Sequence, residues 1–408
     1  MGKWQPVILG DYCEITSSKR IFYSDYVTDG VPFYRSKEII ERQRGDDISE
    51  PLFISNEKYE NIKSQYGVPQ ANDMLLTSVG TIGIAYIVKE TDNFYFKDGN
   101  LTWFRNFSPL LSSQYLYYWI SSVTGQGILH NTTIGSSQKA LTISALKLLK
   151  IPLPPIDVQQ KIADILSAYD DLIENNRKQI KLLEEAAQRL YKEWFIDLRF
   201  PGYENTKIID GIPEGWDRKK LGEWVNTFSG GTPSRKNKEF YQNGSNFWLK
   251  TQELTDCFIF ETEEKITDRA IEHSSAKYIY PNSIIMAMYG ATIGKLGIAA
   301  TRLTCNQACC VFDLSSDFEK MPYLYLWLKS NRDFFVSQGI GSAQSNLSQA
   351  MIKNFDIIVP CQTTLSNFSP IATKIFAKIL KLQKSVKEAK NAQDRLLPKL
   401  MTGELEVK

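Results

Sequence analysis

Apolar residues recur every three or four positions along two long stretches of this chain. The first runs from Asp157 to about Ile196 without Pro or Gly. One column holds Leu166, Ile173, Ile180, Ala187 and Trp194; a second holds Ile162, Tyr169, Asn176, Leu183 and Leu190. The later stretch aligns Ala372, Ile379, Val386, Gln393 and Leu400 beside Phe368, Ile375, Leu382, Ala389 and Leu396. Charged and amide side chains fill the positions between. Seams of this period predict two long helices that pair as a coiled coil. Asp157, with Gln160 three residues on, is the expected cap of the first. Pro370 and Pro398 punctuate the second, so its regular part is expected nearer Ser369–Leu397. Asn176 is a polar residue at a central seam position; the pattern leaves open whether it fixes register or reaches solvent.

The segment before each long helix is written twice. Trp4 and Gly10 return as Trp216 and Gly222 with the same separation. Tyr115-Leu-Tyr-Tyr-Trp-Ile120 returns as Tyr323-Leu-Tyr-Leu-Trp-Leu328, and Gly135-Ser-Ser-Gln138 as Gly341-Ser-Ala-Gln344. Leu141 is answered by Leu347, and Ile151-Pro-Leu-Pro154 by Ile357-Ile-Val-Pro360. A slowly drifting offset marks true repeats with small loop insertions. Between these anchors lie short β-rich runs bounded by Gly, Pro and Asn, with a few helices such as Tyr115–Ser122 and Tyr323–Ser330. Leu75–Gly83 and Ile285–Gly294 both read as an apolar strand followed by a glycine-bearing turn.

The predicted fold is therefore α+β. Two mixed α/β globular domains stand in tandem, each followed by a long helix, the helices pairing as an antiparallel coiled coil with pseudo-two-fold symmetry. The boundaries fall at residues 1–154, 155–200, 201–360 and 361–408. About 40 residues at a rise of about 1.5 Å make the first helix about 60 Å long. Two related halves then send their globular domains to opposite ends of the pair. A spacer between two recognition modules fits this layout, and so does an ordinary dimerisation coiled coil.

Net charge is +2, with 48 Lys and Arg against 46 Asp and Glu. A free-standing DNA binder is usually more basic, so local clusters or partner subunits must supply affinity. No run of about 18 uncharged apolar residues occurs, and Met1-Gly2-Lys3-Trp4 does not open a signal peptide. A soluble cytoplasmic protein without membrane contact is expected. Cys305, Cys309 and Cys310 lack the second pair a zinc site needs, and read as reduced thiols packed in a strand.

A search for catalytic chemistry finds little. Gly290-Ala-Thr-Ile-Gly294-Lys295-Leu296 has three residues between its glycines instead of four, and Leu where a phosphate loop needs Ser or Thr. No dinucleotide loop and no amino-methyltransferase motif occurs; Leu153-Pro-Pro-Ile156 reads as a linker. Glu261, Glu263 and Lys265 read as a solvated charge run, and two histidines leave little room for a histidine-based hydrolase. No metal or cofactor is assigned to this chain.

Basic and polar clusters recur instead at corresponding places. Ser17, Ser18, Lys19 and Arg20 follow a short strand, as Thr232, Ser234, Arg235 and Lys236 do after Gly230-Gly231. The next strand carries Arg35, Ser36 and Lys37, answered by Lys250, Thr251 and Gln252. Each half adds a late loop, with Lys139 in the first and Gln344 in the second. Lys and Arg can hold phosphates; Arg, Lys, Gln and Asn can read base edges. The candidate DNA-binding residues are thus Ser18, Lys19, Arg20, Arg35, Lys37, Lys139, Thr232, Ser234, Arg235, Lys236, Lys250, Gln252 and Gln344. Those of the seam are Leu166, Ile173, Asn176, Ile180, Leu183, Leu190, Ile375, Ile379, Leu382, Val386 and Leu396.

Six stretches together carry a family resemblance. Ile151-Pro-Leu-Pro-Pro155 leads into Gln159-Gln160-Lys161-Ile162-Ala163; Trp194-Phe195-Ile-Asp-Leu-Arg-Phe-Pro-Gly202 follows, then Ile212-Pro213-Glu214-Gly215-Trp216. Gly230-Gly-Thr-Pro-Ser234 and the ending Leu396-Leu-Pro-Lys-Leu-Met-Thr-Gly-Glu-Leu405 complete the set. Over essentially its whole length the chain resembles the specificity subunits of type I restriction–modification enzymes. The resemblance implies two target-recognition domains, each reading half of a bipartite site in double-stranded DNA. It also implies two docked methyltransferase subunits and restriction/translocase subunits, with S-adenosylmethionine, ATP and Mg on those partners. The second helix departs from the pattern, opening Thr363-Thr364-Leu365-Ser366 without the paired Gln of the first. A stand-alone two-domain DNA-binding regulator and a coiled-coil scaffold without a nucleic-acid role remain the competing readings.

Overall fold

A computed structural model describes residues 4–133, 139–340 and 346–407. The chain divides into two compact units, Met1–Asn175 with Lys387–Lys408, and Asn176–Val386. Each globular half thus takes in part of both long helices.

In the first unit, Glu14–Thr16, Leu101–Arg105, Met74–Thr77 and Ala85–Ile87 form an antiparallel sheet in that order. Met74, Leu75 and Leu76 are all buried, the mark of a strand covered on both faces. The helix Ser113–Ser121 supplies the cover on one side: Tyr115, Leu116, Trp119 and Ile120 share a core with Met74, Leu76 and Phe104. A second sheet orders Tyr26–Val27, Phe53–Ile54, Val31–Tyr34 and Tyr95–Phe96, the last pair parallel. Pro6–Ile8 pairs with Lys150–Pro152, which ties the start of the domain to its end just before the long helix.

The second unit repeats this plan. Asn226–Ser229, Cys309–Asp313, Ile284–Ala287 and Leu296–Ala299 correspond to the four strands of the first sheet, and Cys257–Ile259 adds a fifth, parallel to its neighbour. The second sheet has Glu264–Ile266, Asn246–Leu249 and Thr304–Cys305. Its parallel pair Trp248–Thr304 matches Phe33–Tyr95 in the first unit. Asp217–Lys220 pairs with Asp356–Val359 to close this domain. The repeated glycines have a common cause. A Cβ on Gly10 would sit 2.8 Å from the Lys147 carbonyl, and one on Gly222 would sit 2.8 Å from Lys353 Cγ. At both places a short helix crosses too close for any side chain.

The first long helix is Ile156–Tyr191, continued by a π-helical turn, Lys192–Ile196. That turn carries Trp194 and Phe195 into the core of the second unit, with Phe195 4.8 Å from Phe368 and 4.7 Å from Tyr323, ring to ring. Asp157 is not the cap: the Pro155 carbonyl accepts from Val158 and Gln159, both at 3.0 Å. Asp157 lies inside the first turn, where its charge suits the positive end of the helix. Gln160 does not complete a capping box either; its amide donates forward to Asp164 at 2.8 Å. The second long helix, Gln362–Thr402, runs unbroken through Pro370 and Pro398, longer than the expected Ser369–Leu397. Both prolines lie on the exposed side, whereas Phe368, Ser369, Ala372, Leu400 and Met401 are buried. Their packing offsets a cost of about 3 kcal/mol per interior proline.

In the first unit Gln393 donates to Asp170 Oδ1 at 2.7 Å and to the Leu166 carbonyl at 3.3 Å. In the second, Asn176 donates to Ser385 at 3.0 Å. Further along the first helix in that same unit, Trp194 meets Phe368, 17 residues before Ser385, so there the helices pair antiparallel. Leu166, Ile173, Asn176, Ile379 and Leu382 are buried; Ile180, Leu183, Leu190, Ile375, Val386 and Leu396 are half-buried. Among the described residues, no helix is long and apolar enough to cross a membrane, and no cluster of His, Cys, Asp and Glu is arranged to hold a metal.

Candidate nucleic-acid interface

Arg35 and Lys250 do not lie on strands. Each is the first residue past one, Val31–Tyr34 or Asn246–Leu249, where a helical segment begins. The backbone N–H of Arg35 donates to Glu38 Oε2 at 2.7 Å, and that of Lys250 to Glu253 Oε2 at 3.3 Å. A glutamate three residues on thus holds the same turn in both units. The side chains differ. Arg35 Nη2 lies 2.5 Å from Glu38 Oε1, and the Glu38 side chain is fully buried. Lys250 Nζ instead reaches Glu263 and Glu264, both at 3.0 Å. These partners hold the Lys250 ammonium above its ordinary pKa, Glu263 first and Glu264 next.

Arg20, Lys37 and Arg235 sit at the surface on acidic partners, of which Glu50 is exposed and Asp98 and Glu264 are part-buried. Arg20 Nε donates to Asp98 at 2.8 Å, and Lys37 Nζ lies 3.0 Å from Glu50. Arg235 pairs with Glu264 at 2.7 Å and packs over Tyr241 and Trp248, so the loop around Arg235 and the Lys250 turn converge on one carboxylate. Exposed pairs of this kind contribute about 0–1 kcal/mol. Exchanging a carboxylate for a DNA phosphate therefore costs little at Lys37, and more at Arg20 and Arg235, whose partners Asp98 and Glu264 are part-buried. At Arg35 it would strand a buried charge.

Lys19 Nζ lies over the Tyr66 ring at 4.4 Å, and its N–H donates to Tyr95 Oη at 2.7 Å. Ser18 is half-buried beside it. Lys139 Nζ is 3.0 Å from His130 Nε2. The Thr232 hydroxyl donates to Gln307 Oε1, while Ser234, Lys236 and Gln252 are exposed. Gln344, with the late-loop positions Ser136–Gln138 and Ser342–Ser345, lies outside the described residues. The structure groups Arg235 with Lys250 and Arg35 with Lys37, through Glu264 and Glu50 respectively. It also brings in Gln65, Tyr66 and Arg105, which sequence reasoning did not single out; they come from separate segments with no shared spacing.

Two like α+β domains follow one another in the chain, each leading into a long helix and bearing basic residues at matching turns, a plan that fits a recognition protein. The pattern of the type I restriction modification DNA specificity domain matches residues 1–185 and 213–387, and the chain belongs to that family of specificity subunits. It is similar to the type I restriction enzyme MjaIX specificity subunit of Methanocaldococcus jannaschii, at 33% identity over 344 residues, covering 82% of this chain and 78% of that one. It also resembles the HindI specificity subunit of Haemophilus influenzae, at 25% identity, covering 65% of this chain and 71% of the relative. The crystal structure of a type I S subunit from M. genitalium shares the fold, with a TM-score of 0.66 at 14% identity, covering 98% of this chain and 96% of that one. As a specificity subunit, the chain is a recognition component and not a catalytic one.

Proposed function

We propose that residues 1–154 and 201–360 are two target-recognition domains, each reading one half of a bipartite site in double-stranded DNA. The segments 155–200 and 361–408 set the spacer and hold two methyltransferase subunits, which restriction/translocase subunits join in the cytoplasm. S-adenosylmethionine, ATP and Mg act on those partners. The observation that carries this reading is the repeated plan with unlike surfaces: the Arg35 and Lys250 turns share a capping glutamate yet present different side chains and partners. A common frame with different exposed chemistry is what reading two different half-sites requires.

Arg20, Lys37, Lys139, Arg235, Lys236 and Lys250 supply charge for phosphates in this reading, and Lys19, Ser18, Thr232, Ser234, Gln252 and Gln344 supply further polar contacts. Arg35 shares Glu50 with Lys37 but acts mainly by shaping its turn. The test is exchange of residues 205–355 for the matching segment of a relative, followed by mapping of methylated sites in cells that also express the methyltransferase partner. One half of the target should change and the other should stay. Change in both halves, or in neither, would overturn the modular reading.

A further inference from the structure

A polar cleft of about 340 Å³ opens in the first unit. The segment Thr16–Lys19 forms one wall. Gln65 and Tyr66, at the end of the helix Asn56–Tyr66, form another, and Tyr95, Trp103 and Arg105 complete it from two strands.

Its polar groups are held in place by their neighbours, and some lack a partner. Arg105 places Nη2 on Glu14 at 2.8 Å and Nη1 on the Tyr66 carbonyl at 3.2 Å, and its guanidinium lies 4.4 Å from the Trp103 ring centre. Its Nε is buried with no hydrogen-bond partner, and so is Ser17 Oγ. Each such group costs about 1–3 kcal/mol when left unmade, and two of them line one cleft. Lys19 is fixed at the backbone by Tyr95, while its ammonium rests on the exposed Tyr66 ring and is free to swing to an anion. The volume far exceeds a lone phosphate and falls within the ~300–1,000 Å³ of small-molecule sites. Donors for an acceptor edge, aromatic faces and a mobile ammonium together match one nucleotide: base edge, base face and phosphate.

We propose that this cleft seats a single nucleotide unstacked from the duplex, a proposal that rests on the reading of this domain as a DNA-recognition domain. Ser17 and Arg105 donate to the base, Tyr66 covers its face, and Lys19 holds its phosphate.

The test uses the full chain with its methyltransferase partner and duplexes carrying its mapped site. In the half-site that this domain reads, the base opposite each position is changed in turn, so that the position is mismatched but keeps its own base. Mismatch removes the unpairing cost that extrusion otherwise carries. Binding should tighten, on the order of tenfold, at one position other than the methylated base. Tyr66→Ala and Ser17→Val should each abolish that gain while the response of the other half-site is unchanged; Tyr66 is exposed enough for its truncation to leave the fold intact. If no position besides the methylated base gains, or if the gain survives both substitutions, the cleft is not a nucleotide site, although selective binding would still support the domain as a DNA reader. Loss of all site-selective binding in the unmodified complex would overturn both.

Discussion

Asn176 Nδ2 donates to Ser385 Oγ at 3.0 Å, joining the two long helices through a side chain only 4% exposed. A lone buried amide at a seam fixes register and lowers stability relative to an apolar residue. Asn176→Leu should therefore raise the melting temperature by a few degrees, in line with about 1 kcal/mol on a domain of this size. Asn176→Asp should lower it, because a carboxylate would be buried opposite a hydroxyl. A leucine variant that melts well below the parent would show that the hydrogen bond outweighs the burial cost.

The Arg35 and Lys250 turns separate folding from binding. Arg35→Ala leaves the buried Glu38 carboxylate without its guanidinium and should cost about 1.5–3 kcal/mol in denaturant unfolding. Lys250→Ala leaves Glu263 and Glu264, which are partly exposed, and should cost less than about 1 kcal/mol. In a salt titration of DNA binding, Lys250→Ala should flatten the log–log slope by about 1 if it meets a phosphate. Equal stability losses in the two variants would contradict this division, and an unchanged slope would remove Lys250 from the interface.

Thiol labelling checks the cysteine environment. Burial pushes the Cys13 and Cys310 thiols up to about 12 and raises that of Cys257. The Cys305 thiol is raised as well, first by its hydrogen bond with Cys309 and then by burial. A raised thiol pKa leaves little thiolate at pH 8, and the thiolate is the reactive form. Native protein should take up an alkylating reagent readily at Cys361 and slowly at Cys257, both only part-buried, and all six cysteines should react after unfolding. Rapid native labelling of Cys305, Cys309 or Cys310 would show that the strands holding them open.

What the sequence made legible was periodic. The seam recurs at fixed intervals and the doubled plan at a nearly constant offset, so both could be read from the residues alone. The role of Gln159 was not legible. It stands where a partner contact is easily imagined, yet it is fully buried, accepting from Ser112 N–H at 2.9 Å and donating to the Leu110 and Pro154 carbonyls. It fastens the helix start to its own domain. The second helix has Leu365 three residues after Gln362, buried in an apolar core, so it needs no amide there. The Glu38 and Glu253 caps could have been read from their spacing after Arg35 and Lys250. The Lys19–Tyr66–Arg105 cleft could not, because its walls meet only after both sheets form.

Helix length should set the half-site spacing, and the Asn176–Ser385 pair shows how to test it cleanly. A heptad adds about 10.5 Å at about 1.5 Å per residue, and DNA rises about 3.4 Å per base pair, so one heptad spans about three base pairs. Insertions must lie opposite each other to keep register. Because the helices are antiparallel and Asn176 meets Ser385, insertion after Lys178 in the first is matched by insertion after Leu382 in the second. Both lie on the same side of the polar pair, which is preserved along with the apolar period. Three base pairs also turn the duplex by roughly a third of a turn, given about 10–10.5 per turn, whereas a whole heptad leaves the helix seam nearly unrotated. Distance and phase then compete. With the methyltransferase partner present, the folded variant should either methylate sites with a longer spacer or lose methylation. A folded variant that still methylates only at the original spacer would show that something other than helix length fixes it.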